Sequence, residues 1–452
     1  MTCSPSSRRA GTARIGLGLL ILAAAGCDPR PADRPPYMMD TDGRIVIYHG
    51  VNVSNTAKHA PGFLPWQTKE DFARLPGWGF NLVRYLVFWA AIEPTRGQYD
   101  EAYLANTLER IAWLREQGVD VLLDVHQDLY GPRFTGNGFP DWTVNDEGIP
   151  FTERQPWNLN YLEPAVITAY KNFWRSDDLK AAYVAMLEHL LSRVDGESNI
   201  IGLDIMNEPF PGQDPGFEEV YLTGLYDDVQ AMRRRNGFKT HLFFEPIMFT
   251  SAGLSSLLRF QPDSGSVYTP HYYDVFCHEG GAYTDLSAWW MRQAVSGKAA
   301  EARSFGTPLL YGEFGIATTV PGWERFLDDF IGLMNAYHMS WTYYSYDHTN
   351  QEGFAILDES GAQNERLSHL VEVYAQRIAG RNPEIQYGER SFELQYDPIE
   401  CAAPTVVFVP GTLSGVRVTI NGEETAYDPT SPTVQHFNGG ATERQVMRVE
   451  WE

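Results

Sequence analysis

The chain has little cysteine, four residues in 452. That is too few for a disulfide-built fold, so a hydrophobic core must hold it together. Bases are also scarce. Lys and Arg total 35 against 58 Asp and Glu, a formal charge of −23. A surface of that sign repels phosphate backbones and anionic head groups, which sets nucleic acid aside as a partner. No G-x-S-x-G sequence occurs, so a serine-nucleophile elbow is unsupported. Forty Gly and 28 Pro follow no period, excluding collagen-like and low-complexity architecture. What is abundant is apolar and aromatic surface, at 43% and 13%. That content argues against disorder, and the length suits one large domain plus a small one.

The amino terminus reads as an address. Residues 1–14 carry Arg8, Arg9 and Arg14 and no acid, and an apolar run over 15–25 follows. The run is too short to span a bilayer as a helix and fits the h-region of an export signal over 1–26. Leu22-Ala23-Ala24-Ala25-Gly26-Cys27 resembles a bacterial lipoprotein lipobox, in which Cys27 is lipidated and becomes the new amino terminus. Plain secretion, with Cys27 incidental, is the alternative. The expected location is outside the cytoplasm, secreted or tethered to the bacterial cell surface. Residues 27–36 are Pro-rich and read as a tether. Cys277 and Cys401 remain, and spacing does not decide whether they pair. A monomer is the working expectation.

From residue 37 to 378, short apolar runs alternate with amphipathic stretches. Strands are expected at 45–52, 81–88, 119–126, 200–206, 241–245, 267–271, 309–313 and 340–346. Helices are expected between them at 101–117, 179–194, 217–235, 286–304 and 323–337, with a last one at 365–378. Such alternation implies parallel strands with right-handed crossovers, and eight units fit a (β/α)8 TIM barrel. A doubly wound open sheet lacks support, because no Gly-rich turn follows the first strand. Residues 379–452 alternate apolar and polar with period two and read as a small C-terminal all-β sandwich.

Barrel enzymes place their chemistry at the carboxyl ends of strands. Here the second strand carries Arg84, and the ends of later strands carry Asp124-Val125-His126-Gln127-Asp128, Asn207-Glu208-Pro209, His271-Tyr272-Tyr273 and Glu313. The eighth carries Trp341, Tyr343, Tyr344 and Asp347. Burying so many polar groups is costly unless they are paired. Two carboxylates from strands four and seven suit glycoside hydrolysis, with Glu208 as acid/base and Glu313 as nucleophile. Arg84 and Tyr273 would keep Glu313 ionised, and Asn207 would bind the sugar 2-hydroxyl. No cofactor is implied. Asp124, His126 and Asp128 share one strand face, which leaves a metal-dependent hydrolase using Asp124, His126 and His271 as a rival reading.

The ordered set RYL, DVHQD, MNEP, PHYYD and YGEF resembles the Asn-Glu-Pro cellulase superfamily, clan A, glycoside hydrolase family 5. The phrases NTAKHAP, LDVHQDLYG, GNGFPDW, NFW, IMNEPF and LYGEFG are similar to those of endoglycoceramidases. Those enzymes release oligosaccharide from the ceramide of glycosphingolipids. The resemblance implies Glu208 as acid/base and Glu313 as nucleophile. It implies a supporting shell of Arg84, Asn207, His271 and Tyr273. It also implies that Lys58, Asp124, His126 and Asp128 lie near the sugar that joins ceramide. Where that family carries Trp on the eighth strand this chain has Tyr344, with Trp341 three residues earlier; either ring could stack on sugar. Remaining rivals are an endoglucanase or mannanase acting on soluble polysaccharide and a non-catalytic glycan-binding lipoprotein.

Overall fold

The computed structural model describes residues 31–58, 61–214, 216–278, 280–348 and 353–452. The export leader and Cys27 lie outside these residues. Eight parallel strands run in the order expected of a barrel: His49–Val53, Leu82–Val87, Asp120–Val125, Ile200–Asp204, His241–Phe244, Ser266–Tyr268, Leu310–Tyr311 and Ser340–Tyr343. The seam between the sixth and seventh is closed by a parallel bridge, Tyr268 to Leu309, with the Tyr268 N–H donating to Pro308 O at 2.9 Å. Beyond that seam, His271–Tyr272 pairs with Glu313–Phe314 and sets Glu313 directly opposite His271.

The strands read as near-continuous apolar runs because both faces are covered, by helices outside and by side chains inside. Leu82, Leu122, Phe243, Val267 and Leu310 form one buried cluster with Tyr48. Gly202 makes room for it, since a Cβ there would lie 2.2 Å from the Phe243 ring. Side chains repeat every two residues along a strand. One step above this apolar layer the inward positions are therefore Arg84, Asp124, Asp204 and Glu245. A polar tier thus sits on the apolar one. Outside, the helix Trp323–Tyr337 buries Phe326, Phe330 and Met334 on one stripe. Phe330 stacks on Phe314 at 4.1 Å and fixes the strand that carries Glu313.

Two five-stranded antiparallel sheets make the C-terminal part, packed over a core that includes Phe392, Leu394, Val407, Val418, Met447 and Val449. Two expectations fail here. The run 45–52 is not one strand. Ile45–Val46 pairs antiparallel with Met38–Met39 and with Tyr374–Ile378 in the sandwich, while His49–Val53 opens the barrel. The helix expected at 365–378 is one turn, Leu367–Leu370, followed by that strand Tyr374–Ile378. Val371, Val373, Tyr374 and Ile378 are β-branched or aromatic and suit a pleated surface, and their partners lie far away in sequence. The sandwich therefore begins before residue 379 and takes residues 38–46 from the start of the barrel region. Its strands include Gly380–Gly388, Glu423–Thr425 and Thr433–His436. Cys277 and Cys401 are both free. Among the described residues no helix is long and apolar enough to cross a membrane.

Barrel and sandwich lock together. Tyr374 stacks on His49 at 3.6 Å, and Arg377 pairs with Asp120 at 2.7 Å. Between the two units lies a cleft of about 740 Å³ lined by Trp78, Asn335, Glu372, Tyr387 and Trp451, among others. Enclosure in this cleft pushes the Glu372 carboxyl up to about 8, against the Asn335 amide, which donates to it at 2.9 Å. A raised carboxyl pKa means that the folded state holds a proton the unfolded chain releases. Stability should then fall as pH rises from the ordinary glutamate range to about 8. Melting temperatures across that range should show this slope, and Glu372→Gln should flatten it. An unchanged slope in the variant would remove Glu372 as its source.

Candidate active site

Arg84 is fully buried at the centre of the polar tier. Its Nη1 donates to Glu313 Oε1 at 2.6 Å and to Asn52 Oδ1 at 3.1 Å. Its Nη2 donates to Glu245 Oε1 at 2.9 Å and Asn207 Oδ1 at 3.0 Å. Nε and Nη2 both reach Asp204 Oδ2, at 3.1 and 2.9 Å, and Asp124 Oδ1 lies 3.0 Å from Nη2. More oxygens crowd Nη2 than it has protons. Burial and the neighbouring Glu245 push Asp204 well above the ordinary carboxylate range, against the pull of Arg84.

Glu208 and Glu313 meet here. One carboxylate oxygen of each, together with a ring nitrogen of His271, lie within 4.8 Å of one another. His271 Nδ1 is 2.9 Å from Glu208 Oε1 and 3.7 Å from Glu313 Oε2, and its Nε2 is 3.2 Å from Glu245 Oε1. Tyr273 donates its hydroxyl to Glu313 Oε2 at 2.9 Å. Glu208 sits in the left-handed region, with φ of +40°. A side chain with a Cβ pays roughly 1–3 kcal/mol there. Its backbone is held on both sides: the N–H donates to Glu245 Oε2, and the C=O accepts from Gln127 Nε2, both at 2.9 Å.

The two carboxyls are pushed apart in acidity. Burial raises Glu208, and the charges of Glu313 and Glu245 add to it against the pull of His271. Burial also raises Glu313, but His271, Arg84, His126 and Lys58 outweigh it and hold this carboxyl below its usual range. Burial would neutralise His271, yet Glu245 and Glu313 keep it well above the usual imidazole range. A proton donor and an ionised carboxylate thus share one site, which is how paired carboxyls divide acid and nucleophile roles.

A second chain flanks the first. Asp124 Oδ2 contacts His126 Nδ1 at 2.6 Å, His126 Nε2 contacts Asp128 Oδ2 at 3.2 Å, and Lys58 Nζ donates to Asp128 Oδ2 at 2.8 Å. Lys58 also lies 4.9 Å over the Tyr344 ring, whose hydroxyl donates to Asn55 at 2.7 Å. Trp341 is not part of the site. It is fully buried toward the helices, against His49, Phe80 and Phe314. Strand alternation explains this, because Thr342 points inward and its neighbour must point out. Asp124, His126 and His271 do not converge either. Among the described residues, His126 groups with Asp124 and Glu313, and His271 with Glu208 and Glu313.

Sequence reading missed Asn52, Asp204 and Glu245, and gave Gln127 no role although it stands in the DVHQD run. Glu245 had a visible signal, since it ends the apolar run of the fifth strand as Glu313 ends the seventh. Asp204 had none beyond its parity with Gly202.

The cellulase family, glycosyl hydrolase family 5, matches residues 39–350. The chain belongs to glycosyl hydrolase family 5. Among family relatives, it is 27% identical to Endoglycoceramidase I of Rhodococcus hoagii over 404 residues, 82% of this chain and 78% of that one. It is 25% identical to Endoglycoceramidase of Hydra vulgaris, over 85% of this chain and 81% of that one. The ganglioside GM3 complex of Endo-glycoceramidase II from Rhodococcus sp. superposes with a TM-score of 0.84 at 27% identity, covering 92% of this chain and 99% of that one.

In this family 5 site the charge on His271 depends on Glu245. Glu245→Gln should lower the His271 pKa, because removing an adjacent anion destabilises the imidazolium. Nitrogen-15 NMR of the ring should show imidazolium at pH 7 in the wild type and a titration moved downward in the variant. A neutral His271 in the wild type would overturn this electrostatic account.

Proposed function

We propose that this chain is a retaining endo-glycosidase that cleaves the bond between oligosaccharide and ceramide in glycosphingolipids. The observation that carries this is the pair Glu208 and Glu313, with oxygens within 4.8 Å and acidities displaced in opposite directions. That separation fits retaining enzymes, whose carboxyl groups lie about 5–5.5 Å apart, and leaves little room for the water of an inverting one. The relatives named above support the substrate class, as does the lactosyl-enzyme intermediate of Endo-glycoceramidase II.

In the first step Glu313 attacks the anomeric carbon, and the bond to the ceramide oxygen breaks as Glu208 gives that oxygen its proton. Arg84 and Tyr273 hold Glu313 ionised and aimed. In the second step water attacks the glycosyl-enzyme, Glu208 takes back the proton, and Glu313 leaves. Asn207, fixed by Arg84 and by the Gln127 carbonyl, would bind the 2-hydroxyl. Lys58 and Asp128, paired with each other at 2.8 Å, would bind hydroxyls of the same sugar. We further propose export, with the leader over 1–26 removed and Cys27 carrying the anchor.

Glu313→Gln should bring ganglioside and lactosylceramide hydrolysis to background. Glu208→Gln should lower it about 10²–10⁴-fold. With an activated aryl lactoside, Glu208→Gln should accumulate a lactosyl adduct on Glu313, visible by mass spectrometry. Release of the inverted anomer, or hydrolysis of carboxymethylcellulose or mannan but no glycolipid, would refute the proposal.

The pH profile of kcat/KM should be bell-shaped. Its acid limb should lie below the usual glutamate range, where Glu313 protonates. Its alkaline limb should lie above that range, where Glu208 loses its proton. Initial-rate measurements across pH check this, and an alkaline limb unchanged in Glu208→Gln would remove that residue from it.

A further inference from the structure

The cleft between barrel and sandwich is built from parts of both units. The barrel supplies Trp78, which ends the turn Leu75–Trp78, and Asn335, near the end of the helix Trp323–Tyr337. The sandwich supplies Tyr387 from the strand Gly380–Gly388 and Trp451 just after the strand Gln445–Glu450. Glu372 stands in the segment that joins the two units. Trp78 precedes the second barrel strand and Asn335 precedes the eighth, so the cleft lies by the amino ends of the strands. Glu208 and Glu313 stand at the carboxyl ends. The cleft is therefore separate from the catalytic mouth.

Its walls are fixed by packing. Gly79 follows Trp78 with φ of +79°, and a Cβ there would lie 2.5 Å from the Phe408 ring, so this turn is pressed against the sandwich. Trp78 meets Tyr346 edge-on at 5.6 Å, and Tyr387 meets Phe392 at 5.4 Å. The volume of about 740 Å³ falls within the roughly 300–1,000 Å³ of ligand pockets, which favour the junctions of domains. Three donors in the cleft have no hydrogen-bond partner among the described residues: the indole N–H of Trp78, the indole N–H of Trp451 and the Tyr387 hydroxyl. None of the three is sealed inside the protein. Glu372 has the Asn335 amide as its one hydrogen-bond partner among the described residues, at 2.9 Å from both carboxyl oxygens. Enclosure pushes that carboxyl up to about 8, so at neutral pH it offers a donor and an acceptor together. An enclosed carboxyl with no cation beside it is costly for stability and marks a candidate site.

The lining selects the chemistry of the ligand. Among the described residues it holds two acids, Glu365 and Glu372, and no Lys, Arg or His, which disfavours an anion. Arg74 already lies over the Trp78 ring at 4.7 Å, so an organic cation stacked there would meet a like charge. What fits is a neutral molecule with hydroxyls for the amides, the carboxyl and the free N–H groups, and with a flat C–H face for the rings. We propose that this cleft is a second, non-catalytic site that binds neutral sugar residues of a glycan. The proposal goes beyond the glycosidase reading and does not depend on it. With binding places at both ends of the barrel, one chain can hold one glycan while it cuts another, which raises its effective concentration on a surface rich in sugar.

The test titrates the full chain carrying Glu313→Gln, which leaves sugars uncut, with lactose and with cellotriose. Nitrogen-15 NMR follows the indole N–H signals, assigned through Trp78→Phe and Trp451→Phe. Both signals should move with either sugar and saturate. Sialyllactose, repelled by Glu365 and Glu372, and tetramethylammonium should leave them in place. Trp451→Ala should weaken binding about tenfold, read at Trp78, whereas Trp451→Phe keeps a ring and should bind nearly as the parent does. In the chain with Glu313 intact, Trp451→Ala should leave kcat/KM on a soluble aryl lactoside unchanged. Melting temperature identifies a variant that has lost its fold, and Tyr387→Ala, at a position 38% exposed, then carries the same test. Indole signals that stay still with both sugars, or that move as far with sialyllactose or tetramethylammonium, would overturn the proposal. So would full lactose binding at the cleft by a folded Trp451→Ala or Tyr387→Ala variant. A fall in kcat/KM that matches the loss of binding would place the sugar at the mouth instead and would also overturn it.

Discussion

A single buried cation organises the mouth of this barrel. The Arg84 guanidinium touches Asp124 and Asp204 on strands three and four, and Glu245 and Glu313 just beyond strands five and seven. Each of those acids would be costly to bury alone, and together they would repel. One guanidinium shared among them makes the tier tolerable. A lysine would not replace it, because only a planar fork presents donors in several fixed directions at once. The geometry of the reacting pair follows from this hub. Glu313 is bound to it directly. Glu208 is bound through Glu245, which holds its backbone N–H and faces the His271 ring.

The same arrangement explains why two glutamates a few ångströms apart do different work. Both are buried, and burial alone would raise both. Glu313 lies on the cationic side, facing Arg84 and His271 with Lys58 and His126 further off. Glu208 has His271 as its main cationic neighbour and the carboxylates of Glu313 and Glu245 against it. Position relative to the cations, rather than residue type, assigns the roles. The left-handed backbone at Glu208 is the local cost of aiming its side chain across the barrel, and Gln127 and Glu245 hold it there.

Polarity is segregated around this centre. Lys58, Asp128, His126 and Asn55 crowd one side of the mouth with hydrogen-bonding groups suited to sugar. Among the described residues of the barrel, the exposed large apolar side chains lie in the segments after strands three to six. A substrate with a hydroxyl-rich head and a greasy tail would meet matching surfaces in the order of its own structure.

Much of this was legible in the chain itself. Apolar runs of fixed length alternating with amphipathic stretches determine a parallel barrel, since only covered strands can be apolar on both faces. Ionisable residues that end those runs, Glu208, His271 and Glu313, and Arg84 within one of them, mark the site because burial makes each of them expensive without a purpose. Periodicity could not show which partner an apolar segment chooses. Ile45–Val46 and Tyr374–Ile378 left the barrel region for the sandwich because their pairing partners are remote in sequence. Trp341 and Tyr344 could not be sorted by spacing, since inward and outward depend on where the pleat starts. The contacts of Asp204 and Glu245 with Arg84, and the opposite acidities of the two glutamates, exist only where strands far apart in sequence bring their side chains within a few ångströms. Sequence determines which groups are present and on which strand. The closed barrel decides which charges face each other, because electrostatic coupling depends on distance through space and not along the chain.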